Sequence, residues 1–243
     1  MKKSRLEQAA RNNAAWCDAL CRSHAAPGEF LADAWINCHR APAFYPNLVT
    51  LEPLLEPAPV LESVRYLTAR LPGRWAVKDS FQSLNLSELG FDRLFDASWI
   101  CHASPLLPTP GHVAPIRWAH IVSPDELKLW EASWAKANGT DETTVQFPPS
   151  LLADAALAIF AGYHGSQLIA GGIANASDEV VGLSNVFSPP SLTRIVWAGL
   201  LANIQAAFPI RPIVGYEHGP SLGIALDFGF EVLGPLTVWL KHA

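Results

Sequence analysis

The C-terminal stretch of the chain alternates short apolar runs with polar turns. An apolar run over Pro212–Val214 is followed by Gly215-Tyr216-Glu217-His218-Gly219, and a second apolar run covers Leu236–Leu240. A short helical pattern between these runs ends at Gly229-Phe230. Glycine readily adopts the left-handed conformation that ends a helix, and the aromatic residue after it can anchor a strand in the core. This stretch therefore predicts a strand, a helix and a strand.

The residues upstream continue this alternation of strands and helices. Residues 116–122 form an apolar run that predicts a strand. Ser123-Pro124-Asp125-Glu126 predicts a helix start, because serine caps helices, proline fits the first turn and acidic residues favour the positive end. The further predicted elements are a helix over Leu151–Gly162, a hairpin of Ser166–Asn175 and Val180–Phe187, and a long helix over Leu192–Ala207.

The N-terminal part of the chain predicts a comparable series. Apolar residues at helical spacing from Leu6 to about Asn37 predict two helices, broken at Ala26-Pro27-Gly28. The pattern after them predicts a strand over Leu48–Leu51, a helix from about Pro59 to Leu71 and a strand over Arg74–Ser80.

A self-similar pattern suggests that the chain contains two related halves. Gly90-Phe91 follows a short polar segment and precedes an apolar run, as Gly229-Phe230 does about 139 residues further along. Between the halves, Pro105, Pro108, Pro110 and Pro115 indicate a linker. We therefore predict two domains, residues 1–107 and 108–243.

Composition narrows the class of protein. The chain has 243 residues, of which 50% are hydrophobic and 16% charged, so it can bury a sizeable core. Its net charge of −5 offers no basic field for a phosphate backbone, which makes nucleic-acid binding an unfavoured function. No segment has the roughly 18 apolar residues of a membrane span and no signal peptide precedes the first helix. We expect a cytoplasmic protein.

Four cysteines lie at irregular spacing, which favours a reducing compartment over a disulfide framework. Cys17, Cys21 and His24 share one face of a predicted helix, a spacing that a metal site could use. Trp16 and Leu20 lie beside them, so we interpret this face as the buried side of an amphipathic helix and predict no metal.

The series of elements from residue 116 to the C-terminus, with its Gly229-Phe230 after a short helix, resembles the GNAT superfamily of acyl-CoA N-acyltransferases. The resemblance implies an α/β fold with a mixed sheet flanked by helices. Residues 47–103 resemble a second, truncated copy that lacks the early strands, so the implied architecture is a pseudo-tandem. Gly229-Phe230 aligns His218 with the family's usual asparagine and Ala225 with its usual tyrosine.

The resemblance also implies a co-substrate, acetyl-CoA or another acyl-CoA, and a small-molecule amine as acceptor. In the family, two neighbouring strands splay to admit the thioester, and the pyrophosphate binds where the next helix begins. In this chain that segment, Phe187–Ile195, contains Pro189 and Pro190 and none of the family's glycines. The residues implied to bind the donor are Asn185, Val186, Phe187, Ser191, Thr193 and Arg194, and those implied to bind the acceptor are Asn175 and Ser184.

The polar residues that follow the strand at Ile213 are the candidates for chemistry. Amine acylation needs a base for the ammonium proton and an acid for the departing thiolate. Glu217 or His218 could be the base and Tyr216 the acid. The structural alternative is that these residues only cap the end of a sheet. We interpret the corresponding strand end of the first half, Lys78-Asp79-Ser80, as ordinary surface or as contacts between the copies.

Two other functions stay open at this point. The acyl donor could be a carrier protein or an acylated tRNA, because a cradle without glycines matters less if the donor is held elsewhere. The chain could also be a non-catalytic module of the same fold that binds a ligand or a partner protein.

Overall fold

A computed structural model describes residues 3–53, 55–103, 116–140, 145–177 and 179–242. The chain forms two compact units. Unit 1 comprises Met1–Ile100, Tyr216–Gly223 and Glu231–Ala243, and unit 2 comprises Cys101–Gly215 and Ile224–Phe230. The predicted boundary between residues 107 and 108 lies outside the described residues. The last strand of the chain belongs to unit 1.

Unit 1 contains a mixed sheet in the order β1-β2-β3-β4-β11-β5. Strand β3 runs parallel to β4, and β11 runs antiparallel to β4, with Thr237 opposite Asp79 and Lys241 opposite Trp75. The C-terminal strand therefore completes the sheet that the N-terminal residues begin. The elements are α1 Arg5–Ser23, β1 Glu29–Phe30, β2 Ala34–Ile36, β3 Leu48–Thr50, α2 Ala58–Arg70, β4 Trp75–Asp79, β5 Phe91–His102 and β11 Glu231–Lys241.

Helices cover both faces of the unit 1 sheet. Val77 packs in a core cluster that includes residues of α2. The next side chain, Lys78, points to the opposite face and donates a 2.7 Å hydrogen bond to Asn13 of α1. Lys78 and Asp79 are both buried, so the interpretation of this strand end as ordinary surface is wrong. Adjacent residues of one strand are both covered because each face carries a helix.

The second helix predicted between Gly28 and Asn37 is wrong, because this segment forms β1 and β2. Ala34, Trp35 and Ile36 are all buried. A short strand covered on both faces has no polar alternation, so its apolar run cannot be distinguished from a buried helical turn by spacing alone. The predicted elements at Leu48, Pro59 and Arg74 are confirmed as β3, α2 and β4.

Unit 2 contains the strand order β10-β9-β8-β7-β6. Strands β6 to β9 pair antiparallel in succession, and the first residues of β10 run parallel to β9. Helices α3 and α4 are amphipathic and bury Trp130 and Trp197 respectively. The elements are β6 Ile116–His120, α3 Pro124–Asn138, β7 Leu157–His164, β8 Gln167–Ser177, β9 Val180–Phe187 and α4 Thr193–Ala207. Two further elements, β10 Ile213–Glu217 and α5 Gly219–Asp227, are divided between the units, because Tyr216–Gly223 belong to unit 1.

The start of α3 is formed as predicted. The Ser123 hydroxyl accepts a hydrogen bond from the Glu126 backbone N–H, and the Glu126 carboxylate accepts one from the Ser123 N–H. The β8–β9 hairpin and α4 are also confirmed. The helix predicted over Leu151–Gly162 is wrong, because a 3₁₀ turn at Pro149–Ala153 leads into β7. Residues of β7 from Ala158 to Gly162 are all buried, so this strand too lacks polar alternation.

Both halves have a glycine in the left-handed conformation immediately before a long strand. Gly90 has φ of +78° and precedes β5, and Gly229 has φ of +85° and precedes Phe230 and β11. The turn that the Gly-Phe pattern predicted is therefore present twice. The further prediction, a truncated second copy, stays a prediction.

Candidate functional site

Strands β9 and β10 pair over a short parallel ladder. Ile213 lies opposite Val181 and Val214 opposite Gly182. At the next residue, a Cβ on Gly215 would lie 3.2 Å from the carbonyl oxygen of Leu183, so glycine permits a close approach of the two backbones. Among the described residues the ladder ends at Val214.

A β-bulge in β9 begins where this ladder ends. Ile173 of β8 lies opposite Ser184, whereas Gly171 lies opposite Phe187, so β9 contains one extra residue between these pairs. Asn185 occupies the bulge with φ of +53°. Asparagine tolerates the left-handed region better than most residues, and a bulge bends its strand and ends regular pairing.

The residues predicted to bind the donor and acceptor on β8 and β9 differ in accessibility. Ser184, Asn185 and Val186 are half-buried. Phe187 is buried and makes an edge contact with Trp130 at 5.3 Å between ring centroids. Its side chain is part of the core, so only its backbone could contact a ligand. Asn175 is also buried, at the β8 position opposite Gly182.

Among the described residues, no side chain caps the first turn of α4. The helix begins at Thr193, after a 3₁₀ turn over Pro190–Leu192, and its N-cap is Leu192. Ser191 is exposed and does not cap the helix, because the helix begins two residues beyond it. The Thr193 hydroxyl lies 3.1 Å from the Ser188 hydroxyl and 3.2 Å from the Pro190 carbonyl oxygen. The backbone N–H groups of this turn therefore have no side-chain acceptor in the described part of the chain, and such groups attract an anion.

Arg194 lies on this turn but is already engaged. Its guanidinium donates a 2.6 Å hydrogen bond to the Asp227 carboxylate and lies 5.8 Å from the centroid of the Phe228 ring. Both members of the ion pair are more than half exposed. Arg194 can therefore exchange Asp227 for another anion at little energetic cost.

In unit 1, the Tyr216 ring contacts the buried ammonium of Lys78 and the ring of Trp99. The Lys78 ammonium nitrogen is 4.3 Å from the centroid of the Tyr216 ring. The Trp99 ring packs edge-to-face with the Tyr216 ring, with 5.5 Å between the ring centroids and an angle of 79° between the ring planes. The Tyr216 hydroxyl makes no hydrogen bond to any residue that the structure describes. It is therefore available to a ligand or to water.

Glu217 is half-buried, and burial raises the pKa of its carboxyl to about 7. No ion pair or hydrogen bond to this carboxylate occurs within the described ranges. His218, by contrast, is exposed and stacks on Phe95 with 5.2 Å between ring centroids. Of the two predicted bases, Glu217 has the environment that makes a carboxyl basic near neutral pH.

The sequence interpretation missed Lys78 and Asn13 as members of this group. Lys78 is only 4% exposed, although it belongs to the most strongly hydrated residue type. The available signal was a lysine directly after the apolar run Trp75–Val77 in a predicted strand. The partner Asn13 lies on α1, and no local pattern connects it to Lys78.

The cysteine-bearing face of α1 is apolar, as interpreted. Cys17 and Cys21 are buried, and burial raises the pKa of Cys17 to about 11 and that of Cys21 to about 12. Within the described ranges, no three histidine, cysteine or acidic residues come together in a group that could hold a metal ion. None of the helices described is both long enough and apolar enough to span a bilayer.

No protein-family model matches the sequence, and no curated protein sequence matches it. Solved structures do match over nearly the whole chain. A GCN5-related N-acetyltransferase from Kribbella flavida is 18% identical with a TM-score of 0.68, and the match covers 96% of this chain and 95% of that one. A GCN5-related N-acetyltransferase from Sphaerobacter thermophilus is 10% identical with a TM-score of 0.60, covering 97% and 93%.

A third similar structure is a tandem GNAT protein from the clavulanic acid biosynthesis pathway. It is 11% identical with a TM-score of 0.54, and the match covers 97% of this chain and 95% of that one. At these identities the similarity concerns the arrangement of helices and strands, not the residues of a site. The chain has the fold of the GCN5-related N-acetyltransferases.

Proposed function

We propose that the chain is an N-acyltransferase that moves an acyl group, with acetyl as the simplest case, from an acyl-CoA thioester to an amine of a small molecule. The observation that carries this proposal is Glu217. It is a half-buried carboxyl without a described partner and with a pKa of about 7, and it lies on the strand that begins at the short β9–β10 ladder. A group that titrates near neutral pH can accept a proton from an ammonium and release it again.

The residues present fit the donor's diphosphate at the first turn of α4. The backbone N–H groups there lack a side-chain cap, and the Ser188 and Thr193 hydroxyls lie beside them. Pro189 and Pro190 supply no N–H, so the contacts would come from Thr193 and the residues after it. Arg194 would contribute charge after leaving Asp227.

The chemistry assigns one proton transfer to each of two side chains. Glu217, as carboxylate, removes a proton from the acceptor ammonium. The neutral nitrogen then forms a bond to the thioester carbonyl carbon, the carbon–sulfur bond breaks, and the new amide nitrogen loses its second proton to solvent. Tyr216 donates its phenolic proton to the departing thiolate and regains one from solvent. His218 is too exposed to be shielded from water and is assigned no proton transfer.

Calorimetric titration with acetyl-CoA and with desulfo-CoA tests the donor. Micromolar binding of both ligands supports the proposal, and Arg194→Met should weaken it. Arg211→Met is the matched control, because Arg211 is also exposed and lies outside α4. A folded protein that binds neither ligand contradicts an acyl-CoA donor.

Release of free thiol from acetyl-CoA, followed over a panel of small amines, tests the reaction itself. Amine-dependent release that Glu217→Gln abolishes supports the assignment of the base. Tight binding of acetyl-CoA without thiol release for any amine would instead favour a non-catalytic binding module.

A further inference from the structure

The end of β4 in unit 1 places two groups against Tyr216. Lys78 contacts the ring from one side, with its ammonium nitrogen 4.3 Å from the ring centroid. Trp99 contacts it edge-on at 5.5 Å. Neither contact was expected from the sequence, and each is fixed by a further hydrogen bond within unit 1.

Lys78 is held from α1. Its ammonium donates a 2.7 Å hydrogen bond to the Asn13 side-chain oxygen, and no carboxylate lies within ion-pair distance among the described residues. A buried ammonium with one neutral acceptor and one aromatic face is poorly compensated for its lost hydration. Stability alone does not explain such a residue, because an apolar side chain of similar size would cost less at this position.

Trp99 is held from the same strand end. Its indole N–H donates a 2.9 Å hydrogen bond to the carbonyl oxygen of Ser80. The Ser80 N–H in turn donates to the Thr50 hydroxyl at 2.7 Å. Lys78 is in β4 and Ser80 directly follows this strand, so the end of β4 holds both neighbours of Tyr216.

We propose that Lys78 and Trp99 are positioning residues that hold the Tyr216 ring in the orientation needed for proton donation. This inference rests on the proposed function, because it gives Tyr216 a role to be positioned for. The cation–π contact favours the position in which the face of the Tyr216 ring lies against the ammonium, and the Trp99 ring restricts rotation of the Tyr216 ring.

The test replaces Lys78 by two residues of similar length. Lys78→Met removes the charge, and we expect kcat to fall roughly tenfold to a hundredfold, as a small misplacement of a reacting group does. We expect KM for acetyl-CoA to stay within about twofold, because the proposal assigns Lys78 no contact with the donor. Lys78→Arg keeps a cation over the ring and should restore most of kcat, whereas a residue that only fills space would not require the charge.

Two further variants keep the test sharp if Lys78→Met folds poorly. Asn13→Leu removes the hydrogen-bond acceptor of the Lys78 ammonium and should lower kcat, as Lys78→Met does. Lys136→Met, on the exposed side of α3, is the control for loss of a lysine and should match the wild type.

A second readout does not depend on turnover. With 3-fluorotyrosine in all four tyrosine positions, Tyr216→Phe identifies the ¹⁹F resonance of Tyr216. We expect Lys78→Met to shift this resonance, Lys78→Arg to return it towards the wild-type position, and the Tyr163 resonance to stay fixed.

A folded Lys78→Met protein with wild-type kcat and an unchanged Tyr216 resonance overturns the proposal. If Lys78→Met shifts the Tyr216 resonance but the wild-type protein transfers no acyl group, the positioning of Tyr216 is supported and the proposed function is contradicted.

Discussion

The side-chain amide of Asn185 donates a 3.1 Å hydrogen bond to the Ser184 hydroxyl, and Asn185 itself adopts φ of +53° within β9. The bond joins two adjacent residues at the one point where β9 carries an extra residue relative to β8. Backbone conformation and side-chain hydrogen bonding therefore favour the same bulge. The bulge residue Asn185 lies three positions beyond Gly182, the last β9 residue of the β9–β10 ladder.

Substitutions at Asn185 should separate backbone strain from side-chain chemistry. Asn185→Val places a β-branched residue at positive φ and should lower the free energy of unfolding by about 1–3 kcal/mol. Asn185→Gly removes the hydrogen bond but fits the conformation, so its cost should stay below about 1 kcal/mol. Urea denaturation measures both. Equal losses in the two variants would mean that the left-handed conformation is not what constrains this site.

Gly171 should tolerate no side chain. A Cβ at Gly171 would lie 2.8 Å from the carbonyl oxygen of Phe160 and 2.7 Å from the Phe187 ring, and the carbonyl cannot move without disturbing β7. Gly171→Ala should destabilise the protein by about 1–3 kcal/mol through overpacking. Thermal unfolding is the measurement.

The matched control for Gly171 is Gly223. A Cβ there meets nothing within 4 Å, and Gly223 lies in α5 without a positive φ. Gly223→Ala should leave stability unchanged or raise it by about 0.5–1 kcal/mol, since alanine favours helices. A destabilised Gly223→Ala together with a neutral Gly171→Ala would contradict the packing described here.

The parts of the fold that could be predicted from sequence are those with strong local signals. The capping box at Ser123 fixed the start of α3, and the Gly229-Phe230 turn fixed the start of β11, since both depend on neighbouring residues only. Strands β2 and β7 were assigned to helices because burial on both faces erases the alternation that marks a strand.

The candidate site was predictable only along one strand. Tyr216, Glu217 and His218 were named because they follow an apolar run and precede a turn. The environments that separate their roles depend on residues distant in sequence. Within the described ranges the Glu217 carboxyl has no hydrogen-bond or ion-pair partner, whereas the exposed His218 ring stacks on Phe95. The bulge at Asn185 carries no glycine or proline, so no local signal marked it.

Glu217 should give the protein a stability that falls as pH rises through neutrality. Its folded pKa of about 7 lies above the ordinary value of 4.5 for a glutamate carboxyl, so between these pH values the folded state binds the proton more tightly than the unfolded state does. The resulting stabilisation is fully present below about pH 4.5 and is lost as pH approaches 7. The rise in the Glu217 pKa from 4.5 to about 7 corresponds to a stabilisation on the order of 3 kcal/mol, because one pH unit is worth about 1.36 kcal/mol.

Comparison with Glu217→Gln isolates this contribution. The two proteins should have similar stability near pH 4, and the glutamine variant should become the more stable one above pH 7. Urea denaturation at several pH values gives the difference directly. A constant difference across this range would show that the carboxyl does not titrate as described.

The same carboxyl should shape the rate of acyl transfer. If Glu217 is the base, kcat/KM rises with pH around an apparent pKa near 7, because only the carboxylate accepts the ammonium proton. Glu217→Gln should remove this rise of kcat/KM with pH and lower kcat/KM by roughly 10²–10⁴-fold. His218→Ala should keep both the rise of kcat/KM with pH and its magnitude. If His218→Ala lost this rise and Glu217→Gln kept it, His218 rather than Glu217 would be the base.

The ion pair between Arg194 and Asp227 should influence donor binding more than stability. Because both side chains are more than half exposed, Asp227→Asn should change the free energy of unfolding by less than about 1 kcal/mol. The same substitution frees Arg194 for an incoming diphosphate, so acetyl-CoA should bind more tightly, whereas Arg194→Met should bind it more weakly. Raising the salt concentration should reduce both differences, since the contacts are solvent-accessible. Calorimetric titration at two ionic strengths measures them, and weaker binding by Asp227→Asn would indicate that the ion pair itself forms part of the donor site.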